Sequence, residues 1–201
     1  MTRKITIVDY RAGNLASVQK AFTHLGLENE VTEDPSVVRM AEKIVLPGVG
    51  NFAAVQRLAD RGLTEAIAER IRDGVPFLGI CVGMQWLYEG STEAPQVRGL
   101  GVLRGKVARF ECDLKIPHVG WNTIQPTISS RILKDVPAAG FVYYTHSYRC
   151  PIVDGVVANT TYGEDFAAVV ERDNVFGVQF HPEKSSSVGL QILKNFSEVK
   201  A

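Results

Sequence analysis

The sequence predicts an α/β fold in which a mixed, mostly parallel sheet carries helices on both faces and gains antiparallel strands in its C-terminal half. Through about the first 90 residues, short apolar runs alternate with amphipathic helical patterns. Beyond Gly99 the pattern changes to short strand-like runs with only one clear helix. A chain of 201 residues is long enough for one well-buried core, so we expect a single domain spanning residues 1–201.

The parallel part of the sheet is expected in the N-terminal half. Apolar runs predict strands at residues 5–8, 43–46 and 75–80, with a weaker strand at 30–32. Helical patterns separate these strands and are marked by Leu15, Val18, Phe22 and Leu25, by Asp34-Pro35, by Phe52, Val55 and Leu58, and by Leu63, Ile67 and Ile71. Strands that alternate with helices usually pair in parallel, which gives this region its predicted topology.

Seven short runs predict further strands in the second half. They cover residues 101–103, 106–110, 121–124, 141–148, 156–161, 166–171 and 175–180. Leu190, Leu193 and Phe196 mark a final helix. The second half alone would make a poor core, so antiparallel additions to the same sheet are the simplest arrangement.

Composition and charge argue against several classes of protein. Basic and acidic side chains balance at 22 each, so no nucleic-acid surface is indicated. No apolar run approaches the ~18 residues of a membrane span, and residues 1–4 lead into a strand pattern without a signal-peptide core. Cys81, Cys112 and Cys150 are too widely spaced for a metal motif and odd in number for a disulfide framework. We therefore expect a cytoplasmic protein that binds neither membrane nor metal.

The most informative segment is residues 74–88, where Cys81 separates a strand pattern from a helical one. Gly79 and Gly83 lie two residues to either side and give G-x-C-x-G, the thiol counterpart of a nucleophile elbow. Glycine suits such a turn because the backbone closely approaches its neighbours. A helix N-terminus after the cysteine would favour the thiolate. On this pattern alone, a buried structural cysteine beside two packing glycines is the alternative.

A thiol nucleophile needs a base, and His181 is the late histidine next to a carboxylate. His181 follows a strand, and residues at strand ends of an open α/β sheet converge in space even when they are 100 positions apart, as Cys81 and His181 are. Glu183 is spaced to contact the imidazole and fix its tautomer. Considered alone, His181 is better explained as a capping histidine beside a solvated glutamate, but the elbow favours catalysis.

An acyl transfer also needs hydrogen-bond donors for the oxyanion. The N–H of Val82, the residue after the nucleophile, is one candidate. Gly48, Val49 and Gly50 follow another strand, and their glycines allow backbone N–H groups to approach a ligand. Taken alone, this second segment is an ordinary loop before a helix. His118 and His146 lie in aromatic-rich segments and could line a pocket or an interface.

In combination, these motifs resemble the class I, triad-type glutamine amidotransferases, which have a flavodoxin-like fold. Within that family, the segments 9–10, 13–15, 17–18, 118–122, 146–148 and 177–185 are similar to the glutaminase subunit of imidazole glycerol phosphate synthase. The resemblance extends from residue 5 to the final helix. Arg11 stands where a glycine is common, and Trp86 stands where a smaller apolar residue is usual.

The resemblance implies a role for each matching residue. Cys81 would be the nucleophile, His181 the acid/base and Glu183 its orienting partner. The remaining roles fall into three groups: an oxyanion hole formed by Val82, Gly48, Val49 and Gly50; a site for the amino-acid end of glutamine formed by Gln85, Ser147 and Tyr148; and a partner-facing set formed by Trp121, Tyr143 and Lys184.

The implied reaction is hydrolysis of L-glutamine to glutamate and ammonia through a cysteinyl thioester. The chain contains no phosphate-binding loop and no dinucleotide fingerprint, so it shows no means of activating an acceptor, and we expect no cofactor. The resemblance supplies the acceptor's enzyme, a (β/α)8-barrel cyclase subunit in a heterodimer. That subunit would use the ammonia to make imidazole glycerol phosphate and aminoimidazole carboxamide ribotide in histidine biosynthesis.

Three alternatives stay open at this point. A glutaminase subunit of another synthase, such as that for pyridoxal phosphate or anthranilate, is disfavoured by the motifs around Trp121 and Ser147. A stand-alone cysteine hydrolase on a related fold would turn over glutamine steadily without a partner. A binding module with an inert elbow would leave Cys81 unreactive toward a glutamine-mimicking electrophile.

Overall fold

Thirteen strands and six α-helices make up the structure, a computed structural model that describes residues 4–200. The strands are β1 (Ile5–Val8), β2 (Asn29–Thr32), β3 (Ile44–Gly48), β4 (Phe77–Cys81), β5 (Gly90–Ser91), β6 (Lys106–Arg109), β7 (His118–Thr123), β8 (Gln125–Pro126), β9 (Phe141–His146), β10 (Tyr148–Arg149), β11 (Val156–Tyr162), β12 (Glu164–Arg172) and β13 (Val175–Val178). The helices are α1 (Leu15–His24), α2 (Pro35–Arg39), α3 (Gln56–Asp60), α4 (Leu63–Arg72), α5 (Val82–Gln85) and α6 (Ser186–Glu198), with 3-10 turns at Phe52–Val55 and Pro182–Lys184.

The main sheet is mixed, as predicted. Its eight strands follow the order β2-β1-β3-β4-β13-β12-β11-β8. The strands from β2 to β13 pair in parallel, and β12, β11 and β8 extend the sheet by antiparallel pairing. The prediction of a mostly parallel sheet with antiparallel additions is confirmed.

Burial explains why the central strands read as continuous apolar runs. Every residue of β1, β3, β4 and β13 is buried, as parallel strands covered by helices require. Helix α1 packs against α6, while α2 and α3 pack against α4, so the helices form two groups. The buried apolar side chains of the described residues form one continuous cluster.

Two small sheets lie apart from the main one. One has the order β10-β6-β5, and the other is the antiparallel pair β7-β9. The prediction had placed all later strands on the main sheet. An alternating sequence pattern identifies a strand but does not indicate its pairing partner. For this reason the pattern could not separate the strands of the two small sheets from those of the main sheet.

The segment after Cys81 also differs from its prediction. Helix α5 ends at Gln85 although the helical pattern continues to Tyr88, and residues 101–103 form no strand. Both differences have one cause, because the Leu100 and Leu103 N–H groups donate to the carbonyls of Trp86 and Leu87 at 2.6 and 3.0 Å. These bonds take the place of helical and strand pairing.

Among residues 4–200, no helix combines the length and the apolar character needed to cross a membrane.

Candidate active site

Cys81 lies in a sharp turn where β4 meets α5. Its φ and ψ angles are 53° and −107°, a strained conformation that side-chain-bearing residues rarely adopt. A Cβ atom at Gly79 would lie 2.4 Å from the Gly83 carbonyl oxygen, and one at Gly83 would lie 1.9 Å from the Leu46 carbonyl oxygen. No side chain fits at either glycine, so the close approach of β3, β4 and α5 requires both.

His181 and Glu183 form a buried pair behind the elbow. Imidazole Nδ1 lies 2.9 Å from Glu183 Oε1, and the two side chains are 1% and 0% exposed. His181 comes just after β13, which pairs in parallel with β4, so both strands end at the same edge of the sheet. The backbone of His181 is held there by a 2.9 Å bond from its N–H to the Tyr143 carbonyl.

Opposing effects set the protonation of His181. Burial lowers the pKa of its imidazole, but the close approach of Cys81, the hydrogen bond to Glu183 and the charges of both groups outweigh burial and raise the pKa to about 10. No described residue meets hydrogen-bond geometry with Nε2 of His181. The nearby Cys81 sulfur nevertheless contributes to raising the pKa of the imidazole. At neutral pH the imidazole therefore carries a proton beside the sulfur.

A cavity of about 290 Å³ opens over Cys81. Of the residues predicted for catalysis, the oxyanion and the substrate, it is lined by Val49, Gly50, Cys81, Val82, Gln85, Ser147 and Tyr148. Its wall is completed by His146, which the sequence had named as a residue that could line a pocket or an interface, and by Glu93, Pro117 and Thr145, which the sequence had not singled out. The cavity thus brings five separate stretches of the chain together around one sulfur atom.

The two predicted oxyanion donors stand differently in this structure. Val82 begins α5, where the first N–H groups have no acceptor within the helix. The Val49 N–H instead donates to the Ala12 carbonyl at 3.0 Å. Gly48 cannot carry a side chain, because a Cβ atom there would lie 2.4 Å from the Tyr10 hydroxyl and 2.8 Å from Val82 Cβ. One donor is therefore committed to another acceptor.

Two buried histidines support one wall of the cavity. His146 Nδ1 lies 2.8 Å from the Tyr148 carbonyl, and its Nε2 lies 3.1 Å from His118 Nδ1. Burial lowers the pKa of His118 to about 4 and that of His146 to about 3, so both rings are neutral at pH 7. The carbonyl can only accept, so His146 carries its proton on Nδ1 and receives a bond from His118 at Nε2.

The residues predicted to face a partner lie together on the molecule's surface. The Trp121 and Tyr143 rings meet edge to face at 5.9 Å, and Lys184 Nζ lies 5.8 Å from the centre of the Tyr143 ring. Val119 and Phe141 share this outer face of the β7-β9 pair, and with Trp121 they are 56%, 59% and 52% exposed. The outer face is thus an exposed apolar patch with one cation at its edge.

The two departures from the family pattern have local explanations. Arg11 has a φ of 63°, which accounts for glycine being common there, and its side chain approaches Glu33 at 3.3 Å on the surface. Trp86 is 2% exposed and packs against Phe77 with ring centres 6.2 Å apart. Neither residue lines the cavity over Cys81.

Among residues 4–200, His, Cys, Asp and Glu side chains form no group of three or more that could hold a metal ion. The polar groups of the cavity are instead arranged around a thiol. A thiol, a protonated imidazole and the backbone N–H groups at the start of α5 are together the groups that acyl transfer needs.

Comparison with known proteins places these residues in a family. The model of the family "Glutamine amidotransferase class-I" matches residues 6–199. Imidazole glycerol phosphate synthase subunit HisH of Salinibacter ruber is 48% identical, with 96% of this chain and 93% of the relative covered. The subunit of the same name from Geobacter metallireducens is 50% identical, with 98% and 99% covered.

Solved structures agree on the fold. A crystal structure of a glutamine amidotransferase matches with a TM-score of 0.75 and 18% identity, covering 96% of this chain and 99% of the other. The structure of PurLQS from Thermotoga maritima matches with a TM-score of 0.74 and 19% identity, covering 98% of each chain. With the family match over nearly the whole chain and close to half of its residues shared with these relatives, the chain belongs to the class I glutamine amidotransferases, among the HisH subunits of imidazole glycerol phosphate synthase.

Proposed function

We propose that this chain hydrolyses L-glutamine at Cys81 and passes the ammonia to a (β/α)8-barrel cyclase subunit that makes imidazole glycerol phosphate and aminoimidazole carboxamide ribotide in histidine biosynthesis. The observation that carries the proposal is the cavity of about 290 Å³, where the cysteine meets the residues proposed to bind glutamine. One continuous core supports a single domain over the chain. The reaction takes place in the cytoplasm.

The reaction begins with the sulfur of Cys81. The thiolate attacks the side-chain amide carbon of glutamine, and the oxygen of that amide becomes an oxyanion that the Val82 N–H stabilises. The imidazolium of His181 gives its proton to the amide nitrogen, and ammonia leaves as the C–N bond breaks. The raised pKa of His181, about 10, supplies this proton at neutral pH.

Water then completes the cycle. His181, now neutral, removes a proton from water as the water oxygen attacks the thioester carbon. The C–S bond breaks, glutamate leaves, and the thiolate–imidazolium pair is restored. Glu183 holds the imidazole through Nδ1 in both steps, so that Nε2 always faces the reacting atoms.

Gln85, Ser147 and Tyr148 are proposed to hold the amino-acid end of glutamine. All three line the cavity beside Cys81. The Gln85 amide nitrogen is engaged by the Tyr148 carbonyl at 3.2 Å, so Gln85 also fixes the position of the neighbouring segment.

The decisive experiment measures glutamine hydrolysis with and without the cyclase subunit and its nucleotide ligand. Because the Val49 N–H is bonded to Ala12, we expect a slow free chain and activation by at least about 10²-fold, the scale of one oxyanion donor. The Cys81→Ala complex is the control and should still use ammonium salts for synthesis. Steady turnover by the free chain at the rate of the complex would favour a stand-alone hydrolase.

The outer face of β7-β9 is proposed as the surface that meets the cyclase. It exposes Trp121, Val119 and Phe141 and carries Lys184 at its edge. Exposed aromatic and apolar residues of this kind are typical of interface cores. Trp121→Ala should weaken binding by at least tenfold in calorimetry, whereas Met40→Ala, at an even more exposed apolar residue next to α2, should not. If the Trp121→Ala and Met40→Ala variants bound the cyclase with equal affinity, this face would not be the binding surface.

A further inference from the structure

A polar side chain outside the triad reaches the nucleophile. The Gln179 amide nitrogen, Nε2, lies 3.7 Å from Cys81 Sγ, and the side chain is 0% exposed. Gln179 directly follows β13, whereas Cys81 is the last residue of the adjacent strand β4. The register of these two strands therefore places an amide beside the sulfur.

The neighbours of Gln179 determine which end of its amide faces the sulfur. Its oxygen, Oε1, accepts from Gln85 Nε2 at 3.3 Å, and Gln85 Nε2 also donates to the Tyr148 carbonyl at 3.2 Å. A backbone carbonyl can only accept, so the Gln85 nitrogen must face it. The other N–H of Gln85 then requires an oxygen from Gln179, and the nitrogen of Gln179 is left for Cys81.

A second neighbour fixes the same orientation. Cys150 Sγ lies 3.5 Å from Gln179 Oε1. Burial and the charge of Cys81 raise the pKa of Cys150 well above its ordinary value, so this thiol keeps its proton and donates to the oxygen. Two donors on Oε1 leave no other arrangement of the amide.

The Tyr148 carbonyl, which orients the Gln85 amide, also accepts a hydrogen bond from His146. His146 Nδ1 donates to it at 2.8 Å, and His146 Nε2 accepts from His118 Nδ1 at 3.1 Å. The Tyr148 carbonyl therefore accepts from His146 on one side and from Gln85 on the other, and each of these two side chains has its orientation fixed by a further neighbour. Because the side chains that make these bonds are buried, a change of orientation at Gln179 would leave several of them unpaired.

We propose that Gln179 is a catalytic residue outside the triad, whose Nε2–H donates to the Cys81 sulfur and stabilises the thiolate relative to the thiol. A hydrogen bond to the charged form of a group favours that form. A neutral donor suits this position because a second cation would compete with His181 for the negative charge. Its importance for glutamine turnover rests on the proposed function, but its effect on the sulfur does not.

Alkylation of Cys81 by iodoacetamide tests the effect directly. The thiolate sulfur forms a bond to the methylene carbon and iodide leaves, so the rate follows the thiolate population. The full chain is treated over a range of pH values, and mass spectrometry of the peptide containing Cys81 separates it from Cys112. In Gln179→Met, which keeps the length of the side chain but loses the N–H, we expect half-maximal rates at a higher pH and roughly tenfold slower alkylation at pH 7.

Two further variants make the result decisive. Gln179→Glu places a carboxylate against the sulfur, so its half-maximal rate should lie at a still higher pH than that of Gln179→Met. Gln191→Met makes the same change on α6, where Asn195 is the one hydrogen-bond partner of the amide among residues 4–200, and should match the wild type. Near-ultraviolet circular dichroism shows whether each variant folds.

The outcomes separate the two proposals. Unchanged alkylation profiles in the folded Met variant, or in the folded Glu variant if the Met variant does not fold, would overturn the role of Gln179. With the cyclase present, the same variants should lower kcat with little change in KM. A wild-type complex that does not hydrolyse glutamine would contradict the proposed function while leaving the alkylation result intact.

Discussion

The ends of β3 and β4 lie side by side, yet the segments that follow them differ in how tightly they are packed. Gly48 is in register with Cys81 across the two strands. After β4, an added Cβ atom at Gly83 would overlap the Leu46 carbonyl at 1.9 Å. After β3, a Cβ atom at Gly50 would meet nothing within 4 Å, and Val49 is 37% exposed. Packing therefore fixes Cys81 closely, while the loop after β3 has open space beside Gly50.

This difference separates two requirements of catalysis. The sulfur, the imidazole and the carboxylate lie together before any substrate arrives, but the Val49 N–H is bonded to Ala12. Rotating one peptide at Gly48 would release that N–H, and a single oxyanion donor is worth ~2.7–4 kcal/mol. The proposed triad can thus stay slow until the loop changes.

The largest expected effect comes from removing the nucleophile. Cys81→Ala should reduce glutamine hydrolysis by roughly 10⁶-fold, because no other group can form the thioester. The elbow glycines remain, so circular dichroism should show a folded chain. Glutamate release is measured with the cyclase present, and activity near that of the wild type would show that Cys81 is not the nucleophile.

Replacing the base should have the next largest effect. His181→Ala is expected to lower glutamine hydrolysis by ~10²–10⁴, the usual contribution of a general acid/base. Glu183→Gln should cost less, since its amide oxygen can still accept from Nδ1. Synthesis from ammonium salts serves as the control for both variants. A parallel loss of that reaction would place these residues outside a separate glutaminase site.

A matched pair at Val49 tests the loop itself. Val49→Pro removes the N–H and should eliminate ~10²–10³ of the activation by the cyclase, while Val49→Ala keeps the N–H and should be activated normally. Rates with and without the loaded cyclase give the activation of each variant. If the proline variant were activated like the wild type, the donor would have to be another group.

The smallest expected effects come from replacing glycine with alanine in the segment after β4 and in the loop after β3. Gly83→Ala should lower the free energy of unfolding by about 3 kcal/mol or more, because the backbone must move to admit the methyl group. Gly50→Ala should cost about 1–2 kcal/mol, since only its φ of +90° is unfavourable. Gly26→Ala, with a φ of +71° and nothing within 4 Å, is the control for that backbone cost. Urea unfolding measures all three, and equal losses would remove the contrast.

Local patterns explain what the sequence could predict. The G-x-C-x-G pattern lies within five residues, and the clearances at Gly79 and Gly83 show why only glycine suits both positions. The spacing between His181 and Glu183 is equally short, and their contact at 2.9 Å needs only an extended link. The parallel strands were identified because complete burial produces unbroken apolar runs.

Features that depend on register or on backbone atoms had no such signal. Gln179 was part of a recognised motif, but its contact with Cys81 follows from the alignment of β13 with β4. The acceptor for the Val49 N–H is the carbonyl of Ala12, and every residue has a carbonyl. The β7-β9 pair alternates like any strand, and nothing in its pattern says that it leaves the main sheet.

Gly48, Gly79 and Gly83 belong to β3, β4 and α5, and each lacks room for a side chain because another part of the chain approaches it closely. A Cβ atom at Gly79 would meet the Gly83 carbonyl, and one at Gly48 would lie 3.1 Å from the Gly83 nitrogen. A single substitution at any of these glycines would already produce the steric clash, so the positions cannot be replaced one at a time. Grafting this elbow onto another sheet would likewise require all three close approaches in a single design.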